Sequence, residues 1–327
     1  MKTIAIVGAT GNQGFSVAQT FLQLRDDWNV RCITRNPSSP TAQALASQGA
    51  ELRQGDLDDV SFLRSAFTGA HVIFVNTDFW GPYRATGSST EAFEAEVRHG
   101  RNAALAASAT PTLERFIYSV LGPMKKHSHG KYSNSYHWDA KATVMENIQT
   151  EQPELATKAS YIILGAYATN PLFSPKWNPP LQKYQFVVPL NKEYKLPIIS
   201  ARDSTGAFVK ALVDEPPQTR LLAYDSCLSI AETVNIWQRV TGQEADLVEV
   251  TVQTMHDQFG VPWEVLDGPA FIQEFGYTAG IEGVITPDQL ARRPQTESFE
   301  EWLRKSDWEA VVSGAKQEMA SVSASTS

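Results

Sequence analysis

Cysteine is scarce: Cys32 and Cys227 are the only two in 327 residues. So few thiols cannot frame a disulfide-stapled fold, and both are expected to be reduced core residues. No apolar run approaches the roughly 20 residues that a membrane-spanning helix needs. The run Ile4-Ala5-Ile6-Val7 stops at a glycine-rich turn instead of extending into the core of a signal peptide. There is no Asn-x-Ser/Thr site, because Asn36-Pro37-Ser38 carries proline in the middle. Positive charge is short as well, with a formal net charge of −8. Lys125-Lys126-His127 and Arg292-Arg293 are isolated pairs rather than a stripe, so direct nucleic-acid binding, which draws on clustered cations, is not expected. The cytoplasm is the expected compartment.

What is present is ordinary for a folded chain, with 42% apolar and 20% charged residues. The first half alternates short β-branched runs with longer helical patterns, as a parallel sheet covered on both faces requires. Strands are predicted at Thr3–Val7, Val30–Thr34, Glu51–Gln54, His71–Asn76, Phe116–Val120 and Tyr161–Leu164. Helices are predicted from Gly14, on Val17, Ala18, Phe21 and Leu24, and over Val60–Phe67 with Gly69 as the stop. Two more run from Ser88, at capping-box spacing from Glu91, through Ala107, and over Tyr136–Gln149.

After Gly165 the rhythm changes. Residues 171–197 are rich in proline, lysine and aromatics, which predicts loops and short strands over the mouth of the sheet. Helices follow over Asp203–Val213 and Ser229–Val240, the second framed by Ser229 and Glu232 and stopped at Gly242. Phe299, Trp302 and Leu303 anchor a last docking helix. The expected fold is α/β, a Rossmann-type doubly wound parallel sheet with a smaller C-terminal α/β lobe. Its parts are a nucleotide-binding domain over 1–165, a substrate or partner lobe over 166–320 intertwined with the first, and a disordered tail over 321–327 that has nothing to bury.

The run Gly8-Ala9-Thr10-Gly11-Asn12-Gln13-Gly14 follows a predicted strand and opens a predicted helix, the context that gives such a motif meaning. Gly8 would turn the chain, Gly11 would let the backbone touch a pyrophosphate, and Gly14 would let the helix lie close on the sheet. Exposed N–H groups and the positive helix end then meet the phosphates. An NAD-specific site carries an acid at the end of the second strand; here that strand ends Ile33-Thr34-Arg35-Asn36. Arg35 is placed to pair with a 2′-phosphate, worth up to ~4 kcal/mol at ~4 Å and an effective dielectric of ~20 before screening. A solvated loop arginine is the alternative. NADP(H) is therefore the expected cofactor. Asp56, with Leu57, would line the adenine, or else Asp56 caps the helix beginning at Val60. Asn76-Thr77-Asp78-Phe79-Trp80 leaves the fourth strand at its C-terminal end, where open α/β sheets bind ligands.

Taken together, Gly8 to Gly14, Thr34-Arg35-Asn36-Pro37, Gly55-Asp56, Thr77-Asp78-Phe79-Trp80, Tyr118-Ser119 and His137-Trp138-Asp139-Ala140-Lys141 resemble the NmrA-like family. That family is an atypical branch of the short-chain dehydrogenase/reductases, and Trp138 stands where its His-Phe-x-x-Lys helix has Phe. The resemblance spans residues 1 to about 215, with Phe299-Glu300-Glu301-Trp302 fitting the family's closing helix. It implies a dinucleotide across the sheet, Lys141 at its ribose and nicotinamide, and Tyr167, Ala168, Thr169 and Asn170 lining the nicotinamide end. Members divide into oxidoreductases and redox-sensing regulators.

Reduction of a carbonyl needs a proton donor near the new alkoxide. Ordinary relatives use Tyr-x-x-x-Lys, one helical turn apart. Here Tyr136 is five residues before Lys141 and points off its face, whereas His137 is four before and shares it. His137 is either the acid, since imidazole titrates near neutrality, or a satisfied helix histidine. Ser119 either polarises the carbonyl or finishes its strand. His127-Ser128-His129 lacks a third ligand in register, so no metal is expected. No nucleophile elbow supports hydrolysis. Phe79, Trp80, Trp138, Tyr167 and Trp177 would wall an apolar pocket, or pack in the core. The leading expectation is an NADP-dependent reductase of a bulky apolar or aromatic carbonyl or enone, a small-molecule substrate. The alternative is an NAD(P)-sensing regulator acting through a protein partner, in which case nucleus and cytoplasm both fit.

Overall fold

Apolar residues without alternation make a strand that is buried on both faces. Lys2–Val7 (β1) is such a strand, with Ile4 to Val7 all buried. The computed structural model describes residues 1–308, so the tail expected at 321–327 lies outside the described residues. After β1 come Trp28–Thr34 (β2), Glu51–Gln54 (β3), Val72–Val75 (β4), Arg115–Ser119 (β5) and Ala159–Leu164 (β6). With Arg220–Ala223 and Val284–Ile285 they form one eight-stranded sheet, in the order Val284–Ile285, Arg220–Ala223, β6, β5, β4, β1, β2, β3. Every neighbouring pair is parallel. The order reverses between β1 and β4, and ligands bind outside the carboxyl ends of strands at such a switch point.

The helices of this first unit include Asn12–Leu22 (α1), Pro40–Ser47 (α2), Val60–Phe67 (α3), Trp80–Thr86 (α4), Ser89–Ser108 (α5), Met124–His127 (α6) and Tyr136–Glu151 (α7), joined later by Ala201–Asp214. One core gathers Ala5, Val75, Phe116 and Tyr161 from the strands with Leu63, Ala103, Val144 and Ile148 from α3, α5 and α7. Ser88 starts α5 by accepting from the Glu91 N–H, and α1 packs against Ala201–Asp214. Asp59 starts α3 by accepting from the Phe62 N–H, so the cap expected of Asp56 falls to its neighbour three residues on. The reason is distance along the chain, since an N-cap side chain reaches only N2 or N3.

The first unit comprises Met1–Leu164, Ala201–Ala223 and Gly276–Thr296; a second comprises Gly165–Ser200, Tyr224–Phe275 and, among the described residues, 297–308. In the second unit Ser226–Ser229, Lys195–Ile199 and Ala166–Tyr167 form one sheet, and Ala245–Glu249, Lys183–Val188 and Lys176–Asn178 form another. The helix Ile230–Thr241 carries the complete Ser229/Glu232 capping box and ends at Gly242 with φ 68°. Its Trp237 is buried edge-on against Tyr184 and Phe186. Cys32 is buried in β2, where burial pushes the thiol up to about 12. Cys227 is not a core residue: it lies exposed in a strand of i-e-i-B burial pattern, whose alternation turns it to solvent.

Candidate functional site

β1 delivers the chain into Gly8, whose φ of +76° strains any side chain. A Cβ on Gly14 would lie 2.2 Å from the Gly8 oxygen and 2.6 Å from its carbonyl carbon, so α1 starts in contact with the end of β1. The Gly11 N–H donates to the Gly8 oxygen at 3.0 Å and Gly11 occupies the N-cap. No side-chain cap bond and no acid in the first turn blunts that end of α1. Ala9 and Gln13 are buried, Thr10 is half-buried, and Gly11 and Asn12 are exposed. A tight turn, an uncapped helix start and bare backbone fit a diphosphate.

Arg35 follows β2 and its side chain is 68% exposed, with Nη2 3.5 Å from Asp78 Oδ2. That distance and exposure make a weak pair. Asp78 Oδ1 accepts from the Gly81 N–H and so starts α4. Asp56 is exposed and accepts from the Asp58 N–H, while the half-buried Leu57 accepts at its carbonyl from Asn102 Nδ2. Asp56, Asp58 and His99 form a group that could hold a cation among the described residues. Arg98 already pairs with Asp58 at 2.7 Å and holds its carboxyl below the usual carboxylate range.

The centre of the site is a buried polar network. Lys141 on α7 is 12% exposed and sends Nζ to Glu96 Oε1 at 3.0 Å, Asn76 Oδ1 and the Thr77 carbonyl at 3.2 Å, and Thr77 Oγ1 at 3.3 Å. An ammonium has three N–H bonds, so these oxygens absorb its donor capacity. Thr77 Oγ1 donates to Glu96 Oε1 at 2.6 Å, which spends its single hydrogen. Tyr118, 3.0 Å away, must therefore be the donor to Thr77. Burial pushes the Tyr118 phenol well above its ordinary value, and the Glu96 charge adds to the shift. Thr77, expected at the cofactor, is itself buried and belongs to this network. Glu96, the Tyr118 hydroxyl and the Tyr83 ring are site features that the sequence analysis does not name. One signal was present: Glu96 lies a turn from both Ala92 and Gly100 in the small buried stripe of α5, where a carboxylate needs a partner.

Beside the network stands an aromatic group. Phe79 is buried, and its ring centroid lies 5.3 Å from Trp80, 5.8 Å from Tyr83 and 5.8 Å from His137. His137 lies 5.0 Å from Trp80, so the histidine and Lys141, one turn apart on α7, serve adjoining features. Tyr136 turns to Phe93 instead, away from the lysine. Ser119 is buried at the end of β5. Trp138 is buried, its ring edge-on to that of Tyr277. Tyr167, Ala168, Thr169 and Asn170 belong to the second unit. There the Ala168 N–H donates to the Ile199 carbonyl, and Asn170 Oδ1 accepts from the Leu172 N–H. Trp177 packs on Tyr184 in that unit. No helix among the described residues is long and apolar enough to cross a membrane.

The model of the NmrA-like family matches residues 1–303. Among curated relatives, the NmrA-like family domain-containing oxidoreductase himF of Aspergillus japonicus is 28% identical over 285 residues, covering 80% of each chain. The negative transcriptional regulator NmrA in complex with NADP aligns with a TM-score of 0.70 at 20% identity, over 93% of this chain and 94% of that one. Its complex with NAD aligns equally well, at 0.70 and 21% identity. Leucoanthocyanidin reductase of Vitis vinifera, with NADPH, aligns at 0.67 and 18% identity, over 92% of this chain and 98% of that one. Those solved structures share the Rossmann-type fold described above.

Proposed function

The chain belongs to the NmrA-like family, and on that premise we propose that it is an NADP-dependent oxidoreductase that reduces a bulky apolar or aromatic carbonyl or enone. The observation that carries the reading is the Phe79-Trp80-Tyr83-His137 ring group, with centroids 5.0–5.8 Å apart, set one helical turn from Lys141. Aromatic faces hold a flat apolar substrate, and an imidazole among them is a proton donor within reach of its oxygen. The Gly8 to Gly14 turn and the start of α1 would hold the diphosphate, Arg35 the 2′-phosphate, and Asp56 with Leu57 the adenine. Asp78, Phe79 and Lys141 would border the nicotinamide half.

When bound, the nicotinamide supplies a hydride at C4. His137, or a water it holds, delivers the proton to the alkoxide oxygen, and Ser119 polarises the carbonyl through the end of β5. Lys141 holds positive charge where negative charge develops. To reach a ribose hydroxyl it must release its longest bond, the 3.3 Å contact to Thr77 Oγ1. The oxidoreductase names of the curated relatives support this reading.

One observation favours a second reading, a dinucleotide-sensing regulator without turnover: the Lys141 donors are already absorbed by protein oxygens. Steady-state oxidation of NADPH against a panel of aromatic ketones, aldehydes and enones separates the two. Turnover that Lys141→Ala abolishes, with the fold intact, is the expected result. Tight NADP(H) binding by calorimetry with no turnover of any panel member overturns the enzyme in favour of the regulator.

A further inference from the structure

We propose that Glu96 is the positioning residue of this site, fixing the charge of Lys141 at the carboxyl end of β4; the inference rests on the nucleotide-binding reading above. Glutamate is almost never fully buried unless paired, and the Glu96 side chain is 0% exposed. It sits among Ala92, Gly100, Ala103 and Ala107, a stripe that otherwise carries no side chain longer than a methyl group. Packing of this small-residue face of α5 against α7 denies solvation to the carboxylate.

Two donors of the network, one of them relayed from Tyr118, meet on one atom. Tyr118 donates to Thr77, Thr77 donates to Glu96 Oε1 at 2.6 Å, and Lys141 donates to the same oxygen at 3.0 Å. Glu96 Oε2, fully buried, has no hydrogen-bond partner among the described residues. A carboxylate placed for stability alone would satisfy both oxygens. This one spends its bonds on the oxygen that faces the ammonium. The remaining partners of Lys141, Asn76 Oδ1 and the two Thr77 oxygens, are neutral. Glu96 is its one carboxylate within ion-pair distance among the described residues.

The scaffold is built to make that contact. One turn along from Glu96 and Lys141, α5 presents Gly100 to Val144 on α7, and a Cβ on Gly100 would lie 2.4 Å from Val144 Cγ2. The bare backbone at Gly100 lets the two helices approach until a glutamate side chain spans the gap. Glu96 acts through Lys141, not on the substrate. With the carboxylate neutralised, the ammonium keeps neutral partners only and no longer holds a fixed place.

The test uses the full chain as parent, Glu96→Gln, Glu96→Asp, Lys141→Met and the double variant Glu96→Gln/Lys141→Met. NADPH affinity is measured by calorimetry, with melting temperature as the fold control. In Glu96→Gln the complex is expected to be roughly tenfold weaker than in the parent, as for loss of one charge-assisted contact. Glu96→Asp should fall between the two. In the Lys141→Met background the Glu96 substitution should change affinity less than twofold, because its target is gone. Independent, additive effects of the two substitutions overturn the proposal. So does parental affinity in Glu96→Gln, or in Glu96→Asp should the glutamine variant not fold. A parent that binds no nicotinamide nucleotide brings down the nucleotide-binding reading together with this one, and is told apart by that first measurement.

Discussion

Gly100→Ala offers a decisive test, because two helix rules give opposite signs. In an exposed helix interior, alanine stabilises relative to glycine by about 0.5–1 kcal/mol. At Gly100 the new methyl carbon would lie 2.4 and 2.5 Å from the two Cγ atoms of Val144 and 3.0 Å from its Cβ. Ordinary carbon contacts lie near ~3.5–4.0 Å, so one helix must retreat by about 1 Å. Val144 cannot swing aside: it is fully buried, and a β-branched side chain in a helix has essentially one rotamer. Overpacking of this kind costs about 1–3 kcal/mol, so the net loss is expected at about 1–2 kcal/mol after the propensity gain. Each lost kcal/mol lowers the midpoint of unfolding by about 2–4 °C or somewhat less in a chain of this size. Thermal unfolding by circular dichroism measures it. Retreat of α5 also stretches the 3.0 Å contact between Glu96 and Lys141, so nucleotide affinity should fall with stability. Adding Val144→Ala should restore both in part, by giving back the volume. A Gly100→Ala protein more stable than its parent would refute the helix approach, and with it the account of how the ion pair is assembled.

Arg35→Ala should reduce the preference for NADPH over NADH at least severalfold while leaving NADH affinity near parental; equal preference in both proteins removes Arg35 from the 2′-phosphate. Gly14→Ala puts a methyl 2.2–2.8 Å from backbone atoms of Gly8 and Ala9, which cannot rotate away, so calorimetry should find nucleotide binding lost. Native protein treated with a thiol reagent should show one reacting group, abolished by Cys227→Ser, while Cys32 reacts only on unfolding. Burial holds the folded Cys32 thiol at about 12 against an ordinary 9.0. Its contribution to stability is therefore complete below pH 9 and drains away as pH climbs toward 12. Cys32→Ala should flatten that alkaline limb of a stability–pH curve.

Elements whose pattern was strong and local were legible in the sequence. Val60–Phe67 was placed to the residue because its apolar spacing meets a stop at Gly69, and Tyr136 was placed as the first residue of α7. Trp80–Thr86 was not legible, since Gly81 and Pro82 lie inside it and none of its residues is buried. Arg220–Ala223 and, at the sheet edge, Val284–Ile285 are short strands that owe their existence to neighbours far along the chain. The same division runs through the site. The glycine turn, Arg35 and Lys141 announce themselves by type and spacing. Glu96 does not, because a glutamate on a long helix is ordinarily solvated, and only the approach of α7 decides otherwise.

The interleaving of the two units along the chain bears on how the protein is made. When a ribosome has released residues up to Leu164, the sheet ends at β6 with one side unpaired, and the strand that covers it arrives only at Arg220. The outermost strand waits until Val284. Nascent protein must therefore shield a raw, apolar sheet margin throughout synthesis of the intervening hundred-odd residues. A fragment cut after Leu164 would keep the glycine turn and Lys141 yet leave that margin bare, so it should clump rather than bind nucleotide.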